Sequence, residues 1–407
     1  MIDMKGWDGA TRKSRDTAIV CRSNKNSVPR VLKPSDIRRR VEDVLMHVLA
    51  GALLLAFPDS TIRDTARFVM KASATGGSLT SARRHAGNGH SRRQMARVVE
   101  ALEQGRLQRL ITHSLRKQAM PFIPEGRCTV AVDIHLVPYY GRRDCTGQLI
   151  ASKARQGTDR FHGYSTIYAA VRNRRITFGM RAVRGKKMLP LLRKHLDDAR
   201  ACNVRIGTLL LDREFYSLDV ITFLRSRRIP FIIPVRAGRK MAAGWNRGRH
   251  SFTTAHTLKS GVESIDLRVQ VAKRREHSRI RSYYFTVYRV CTSPRQTMQL
   301  YRRRFGIESS YRIAETARAR TSSRETAVRL LNMFVAVLIE NEWVIAKMLY
   351  ASNRHRGSPD VFDELIRFRH LLPMIVCSIN KIYGESHIVE NRGPPPTEAL
   401  RLLDMVR

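Results

Sequence analysis

The spacing of apolar residues changes character along this chain. Up to about residue 120 the stripes are helical. A helix starting at Ser35 or Asp36 runs through Arg39, Val44 and Leu55 and ends at Pro58. Residues 61–70 put Ile62, Ala66 and Val69 on one helical face, and Gly76-Gly77 interrupts. Ser91 caps a stretch with apolar Met95, Val98, Val99 and Leu102. Short helices, glycine turns and arginines over residues 36–115 predict a helix-turn-helix-like bundle, or a plain helical bundle with solvated arginines.

From residue 127 strand-like runs appear at 128–137, 164–171, 175–183, 206–211 and 229–235. Helical stretches at 185–202, with Met188, Leu191, Leu192 and Leu196 as the stripe, and at 215–227 separate them. Strands alternating with helices predict an α/β fold with a mixed sheet flanked by helices. Residues 238–290 break the rhythm with alternating runs such as 267–271 and 283–288, which predicts an inserted β subdomain. Helices return over 294–382, including a long apolar one at 326–350. Gly393-Pro-Pro-Pro396 ends that order, with room for a short terminal helix. The expected division is a flexible basic arm (1–34), a helical domain (35–120), an α/β core in two parts (125–237 and 293–350) around an inserted β subdomain (238–292), and a C-terminal helical region (351–407).

Charge sharpens this picture. The chain carries 75 basic and 34 acidic residues, a net charge of +41, and 60 of the basic residues are arginine. An ordinary small domain carries about 2–8 charges in magnitude. The excess points to a polyanionic partner, and arginine forks onto phosphate oxygens and base edges. At 43% hydrophobic residues the chain also buries large cores, unlike a basic tail. The six cysteines form no C-x-x-C pair, which argues against a zinc ribbon and for reduced thiols. Neither apolar run, 44–57 or 330–339, reaches the ~20 residues a bilayer needs, and the first residues have no apolar core, so neither a membrane partner nor a secretory signal is expected.

Three acids stand in unfavourable surroundings. Asp133 interrupts an apolar strand, Asp212 ends another, and Glu308 follows Tyr301-Arg-Arg-Arg-Phe-Gly-Ile. A divalent cation offsets such charge. Hard oxygen ligands of this kind suit Mg²⁺ or Mn²⁺, and two such ions about 4 Å apart can serve phosphodiester chemistry. Tyr301, Arg304 and Glu308 are spaced i, i+3, i+7, which predicts that one helix face presents all three. An ordinary charged helix surface has the same pattern.

Taken together, Ala131-Val-Asp-Ile-His135, residues 164–171, Leu210-Leu-Asp-Arg-Glu-Phe-Tyr216 and residues 301–308 resemble an insertion-sequence DDE transposase. The type is the one with a β-strand insertion and a Tyr-x2-Arg-x3-Glu signature. The resemblance covers about 125–345. It implies an RNase H-like fold, Asp133, Asp212 and Glu308 as catalytic and metal ligands, and Tyr301 and Arg304 as contacts to transposon-end DNA. It also implies a homodimer joining two ends and a prokaryotic, cytoplasmic, nucleoid-associated protein. The family signature continues to a Lys where this chain has Glu315, so Arg312 and Arg318, one turn either side, become candidate phosphate ligands.

Further candidates carry bland readings beside functional ones. His135 could order a metal-bound water or make a structural hydrogen bond. Glu214 could be a spare ligand or a helix N-terminal acid. The basic stretch 153–162, with Lys153 and Arg155, reads as a DNA-contacting loop or a solvated one. Trp245 could stack on an unpaired base or fill a small core. Two rival functions stay open: an RNase H-like nuclease such as a junction resolvase, and a catalytically decayed copy that only binds DNA.

Overall fold

The computed structural model describes residues 35–36, 39–40, 59–84, 104–141, 149–155, 157–171, 174–185, 187–277, 279–302, 304, 306–323, 325–350 and 367–383. The arm expected at 1–34, the helix expected at 91–102 and the terminal helix after 393 lie outside these residues.

Among the described residues nine strands form one mixed sheet. They are β1 (Cys128–Pro138), β2 (Ile150–Arg155), β3 (Thr158–Val171), β4 (Arg174–Val183), β5 (Ile206–Leu211), β6 (Phe231–Pro234), β7 (Phe252–Ser260), β8 (Glu263–Glu276) and β9 (Arg279–Tyr288). The order is β2-β3-β1-β5-β6-β9-β8-β7, with β4 also on β3. β5 runs parallel to β1, and β6 parallel to β5. β3 runs antiparallel to β1 and to β4. Such a sheet is compatible with an RNase H-like arrangement. Within 238–292 the strands β7, β8 and β9 pair in turn, and β9 pairs with β6, so they continue the same sheet.

Strand alternation explains the two cores. Val130 and Val132 of β1, Leu209 and Leu211 of β5, and Phe231 and Ile233 of β6 point to one face. There they meet α4 (Met188–Ala201) and α5 (Leu218–Ser226) through Leu192, Val220 and Leu224. Ala131, Leu210 and Ile232, the residues between, point to the other face. That face is covered by α1 (Asp59–Ala74), α3 (Gln104–Ala119), α7 (Pro294–Arg302), α8 (Gly306–Thr316), α9 (Thr326–Tyr350) and α10 (Phe368–Tyr383). Residues 330–340 of α9 are all buried, so its continuous apolar run reflects a central helix. Among the described residues no helix is long and apolar enough to cross a membrane. Two shorter helices among the described residues are α2 (Leu79–Arg84) and α6 (Arg239–Asn246).

Two expectations fail here. The stretch 153–162 is not a loop. It contributes to the β2–β3 hairpin, which turns at Gly157 with φ +79°, a conformation glycine adopts without strain. Its aromatic Phe161 is buried, because β3 begins six residues earlier than the apolar run suggests. Nor does one helix carry Tyr301, Arg304 and Glu308. α7 ends at Arg302, and Glu308 belongs to α8, which starts at Gly306. Consecutive arginines repel, and a glycine weakens a continuous helix at that point.

Candidate active site

The parallel pairing of β1 and β5 builds the centre of the site. The register matches Ala131 with Leu210 and Val132 with Leu211. The next residues, Asp133 in the middle of β1 and Asp212 just past the end of β5, therefore stand side by side at the C-terminal end of β5, where sites form in open α/β sheets. Asp133 continues the face of Ala131 and is 7% exposed. Asp212 caps the short 3-10 turn Arg213–Phe215, accepting from the Arg213 backbone N–H at 2.6 Å.

One guanidinium joins the pair. Arg304 donates from Nη1 to Asp133 Oδ1 at 2.8 Å, and its Nη2 lies 3.5 Å from Asp212 Oδ1. Burial raises the Asp133 pKa, Arg304 pulls it down, and the neighbouring Asp212 raises it further; the net shift is upward. A carboxyl in that position needs a cation to stay ionised.

Tyr301 anchors the segment carrying Arg304. Its hydroxyl donates to the Leu211 carbonyl at 3.2 Å, one residue before Asp212. Its ring is buried beside Phe285, centroids 5.0 Å apart, and Arg304 lies over it at 5.2 Å. Glu308 sits in the first turn of α8. Its side chain lies outside the described residues.

A second layer holds β1 from the side of α8. Tyr311 of α8 hydrogen-bonds Thr166 at 2.6 Å and approaches the Asp133 carbonyl at 3.5 Å. His135 stacks on Tyr311 with centroids 4.4 Å apart, and its Nε2 lies 3.0 Å from Glu315 Oε1. A carboxylate only accepts, so Nε2 carries the proton in this bond. Arg318 donates to the other Glu315 oxygen at 2.8 Å. Burial opposes ionisation of Glu315, yet His135 and Arg318 hold its pKa below the ordinary value. Glu315 is thus part of a His–Glu–Arg chain, and Arg318 is engaged within it. Arg312 is exposed.

Beneath Tyr311, the Arg175 guanidinium lies over the Tyr168 and Tyr311 rings at 4.6 and 5.2 Å. Its charge is also felt by Glu340 of α9, which is 3% exposed and whose Oε2 has no partner among the described residues. Burial pushes the Glu340 pKa up to about 7, with Arg175 acting in the opposite direction. Sequence reasoning missed Tyr311, Arg175 and Glu340. The one signal for Glu340 was that Glu340-Asn-Glu342 ends the apolar run of α9 in mid-helix.

Other candidates lie elsewhere. Lys153 is exposed on β2, and the Arg155 side chain lies outside the described residues. Trp245 is half-buried in α6 and packs on His256 and Tyr284, at 5.8 and 5.2 Å. Glu214 pairs with Arg236 at 2.7 Å on the surface. Among the described residues no three His, Cys, Asp or Glu side chains gather as a metal cluster. The described acid pair still suits a divalent ion, because two hard carboxylate oxygens already converge on one positive group.

A family model of the transposase DDE domain matches residues 125–339. The chain belongs to this family. The matched span starts just before β1 and ends inside α9, so it holds Asp133, Asp212, Arg304 and Glu308. No curated protein matches the chain. Membership makes this a transposase of the nuclease type, with DNA as its partner, and such enzymes normally use divalent metal ions.

Proposed function

We propose that this transposase binds the ends of an insertion sequence and catalyses metal-dependent strand cleavage and strand transfer, with Asp133, Asp212 and Glu308 as the catalytic trio on an RNase H-like core. The observation that carries the proposal is the emergence of Asp133 and Asp212 from adjacent parallel strands onto one guanidinium. The three acids would hold two Mg²⁺ or Mn²⁺ ions. When bound, these supply electrostatic stabilisation of the charge that develops on the phosphoryl oxygens.

The chain's own residues do the rest. Arg304 balances the acid pair in the absence of DNA and turns to a phosphate oxygen when DNA and metal arrive. Tyr301 keeps that segment against β5 through the Leu211 carbonyl. Tyr311 and the His135–Glu315–Arg318 chain keep β1 from shifting as charge builds up beside it. Lys153, Arg155, Arg312 and Trp245 meet DNA away from the acid pair, the helical segment 35–120 grips the ends, and a homodimer brings two ends together.

The test is Asp133→Ala. It should bind duplex DNA with nearly unchanged affinity and lose Mg²⁺-dependent cleavage; retained cleavage sinks the assignment. A joining assay on linear end fragments separates transfer from plain nuclease action. A wild-type protein that binds tightly and never cuts would place the chain among binding-only copies.

A further inference from the structure

A cleft of about 700 Å³ opens at the edge of the sheet, between α3, the end of β4 and the start of α4. It is lined by Arg181, Arg184, Lys187 and Lys194 with Gln108, and none of its lining residues is acidic. Arg184, Lys187 and Lys194 are exposed. Arg181 is held by Asp198, and Gln108 donates to the Met180 carbonyl at 2.5 Å, so the floor is fixed. A smaller cavity of about 250 Å³ adjoins, shares Gln108 and Arg181, and adds Arg109 and Arg116.

The start of α4 strengthens the case for an anion. Its N-cap is Lys187, no side chain caps it, and its first turn has no acid. The first backbone N–H groups of a helix lack intrahelical partners and carry partial positive charge. Here they are accompanied by cationic side chains where a carboxylate usually stands.

Position decides which anion. β4 runs antiparallel to β3, and β3 antiparallel to β1, so β4 and β1 end on the same side of the sheet. Thr166 of β3 pairs with Asp133 on one edge and with Met180 on the other. The cleft thus begins one residue beyond the level of Asp133, two strands away, or about 10 Å. That is less than the width of one major groove, about 12 Å. A duplex lying over the strand ends reaches both places.

We infer that this cleft is a second DNA-backbone site, in which Arg184, Lys187, Lys194 and the α4 N-terminus hold phosphates of the duplex that continues from the active site. The inference rests on the proposed DNA cleavage at Asp133 and Asp212, and adds the path of the duplex beyond them.

The test uses the full-length protein and fluorescein-labelled duplex DNA of mixed sequence, read by anisotropy over a range of salt. The variant is Arg184→Glu, Lys187→Glu and Lys194→Glu combined. The control reverses the same number of charges at exposed Arg127, Arg205 and Arg227. These precede β1, precede β5 and follow α5, at the opposite end of the sheet. The cleft variant should lose at least about tenfold in affinity relative to the control. Its plot of log affinity against log salt should flatten by about 0.9 for each phosphate that is no longer neutralised. Glutamine at the same three sites should give an intermediate loss, with unfolding curves unchanged. Equal losses in cleft and control variants overturn the inference. If the wild type binds DNA but never cuts with Mg²⁺, the proposed function fails while the cleft site stands.

Discussion

The two faces of β3 carry clusters built from similar side chains, and only one of them suits catalysis. Thr166 lies opposite Asp133, beside the Asp133–Arg304–Asp212 group. Ser165, one residue earlier, points to the other face. There its hydroxyl meets His195 Nε2 at 2.8 Å, His195 Nδ1 lies 3.6 Å from Asp198, and Arg181 bonds Asp198 at 3.0 Å. Ser, His and Asp in that order look like a hydrolase triad. Yet Ser165 and His195 are 0% exposed, so no substrate reaches them. Burial lowers the His195 pKa, opposed by the nearby Asp198 carboxylate. Gly179 lies close over this cluster, where a Cβ would sit 3.1 Å from Asp198 Oδ2. The difference between the faces is access and charge balance. Asp198 has its own arginine, whereas Asp133 and Asp212 share one where β5 ends beside the middle of β1.

The largest test of that contrast pairs two aspartates. Asp212→Asn should slow Mg²⁺-dependent cleavage by about a thousandfold or more, measured in single turnover, and leave DNA affinity and unfolding nearly unchanged. Asp198→Ala should do the reverse. It leaves Arg181 and buried His195 without their acid, at a cost of about 3 kcal/mol in urea unfolding, while cleavage per folded molecule stays within about twofold. A loss of cleavage at unchanged stability in Asp198→Ala would break the comparison.

The sequence reveals one face better than the other, for physical reasons. Asp133 and Asp212 are visible because each interrupts or ends an apolar strand, and their neighbours fix the register. Glu308 is visible only through its spacing from Tyr301 and through the family resemblance. The division into α7, ending at Arg302, and α8, starting at Gly306, is hidden, since the i, i+3, i+7 spacing fits one helix equally well. The Ser165–His195–Asp198 cluster is invisible: its members sit on different elements, and Ser165 and Asp198 read as ordinary polar positions. The β2–β3 hairpin escapes notice because Lys153, Arg155 and Arg160 mask a short alternating pattern. Glu315 reads as a missing base, and its partners His135 and Arg318 come together only when α8 packs on β1.

The next effect concerns Glu340, a buried acid on the side of the sheet that carries Asp133. Its folded pKa of about 7 lies above the ordinary 4.5. The folded state therefore binds more protons than the unfolded state between these values, and stability falls as pH rises from about 4.5 through 7. Above that window the cost is constant, about 2–4 kcal/mol. Glu340→Gln removes the ionisation, so it should raise the unfolding midpoint at pH 8 and have little effect at pH 4.5. An equal effect at both pH values would show that Glu340 is not held protonated by burial.

The smallest effect isolates what Tyr301 does. A tyrosine that contacts DNA and a tyrosine that braces the active site respond differently to removal of one hydroxyl. In this structure the hydroxyl reaches the Leu211 carbonyl, and the ring is 3% exposed. Tyr301→Phe keeps the packing against Phe285 and removes one hydrogen bond, at a cost of about 1 kcal/mol. The strand end carrying Asp212 and the segment carrying Arg304 then lose a shared tether, so cleavage should slow by about tenfold at most, with DNA affinity unchanged. If the hydroxyl instead held a phosphate, its removal would weaken DNA binding and leave urea unfolding as it was. Measuring all three quantities on one variant decides between the two roles. The bracing role also requires Phe285→Ala to weaken cleavage in the same direction, since both changes loosen the same packing.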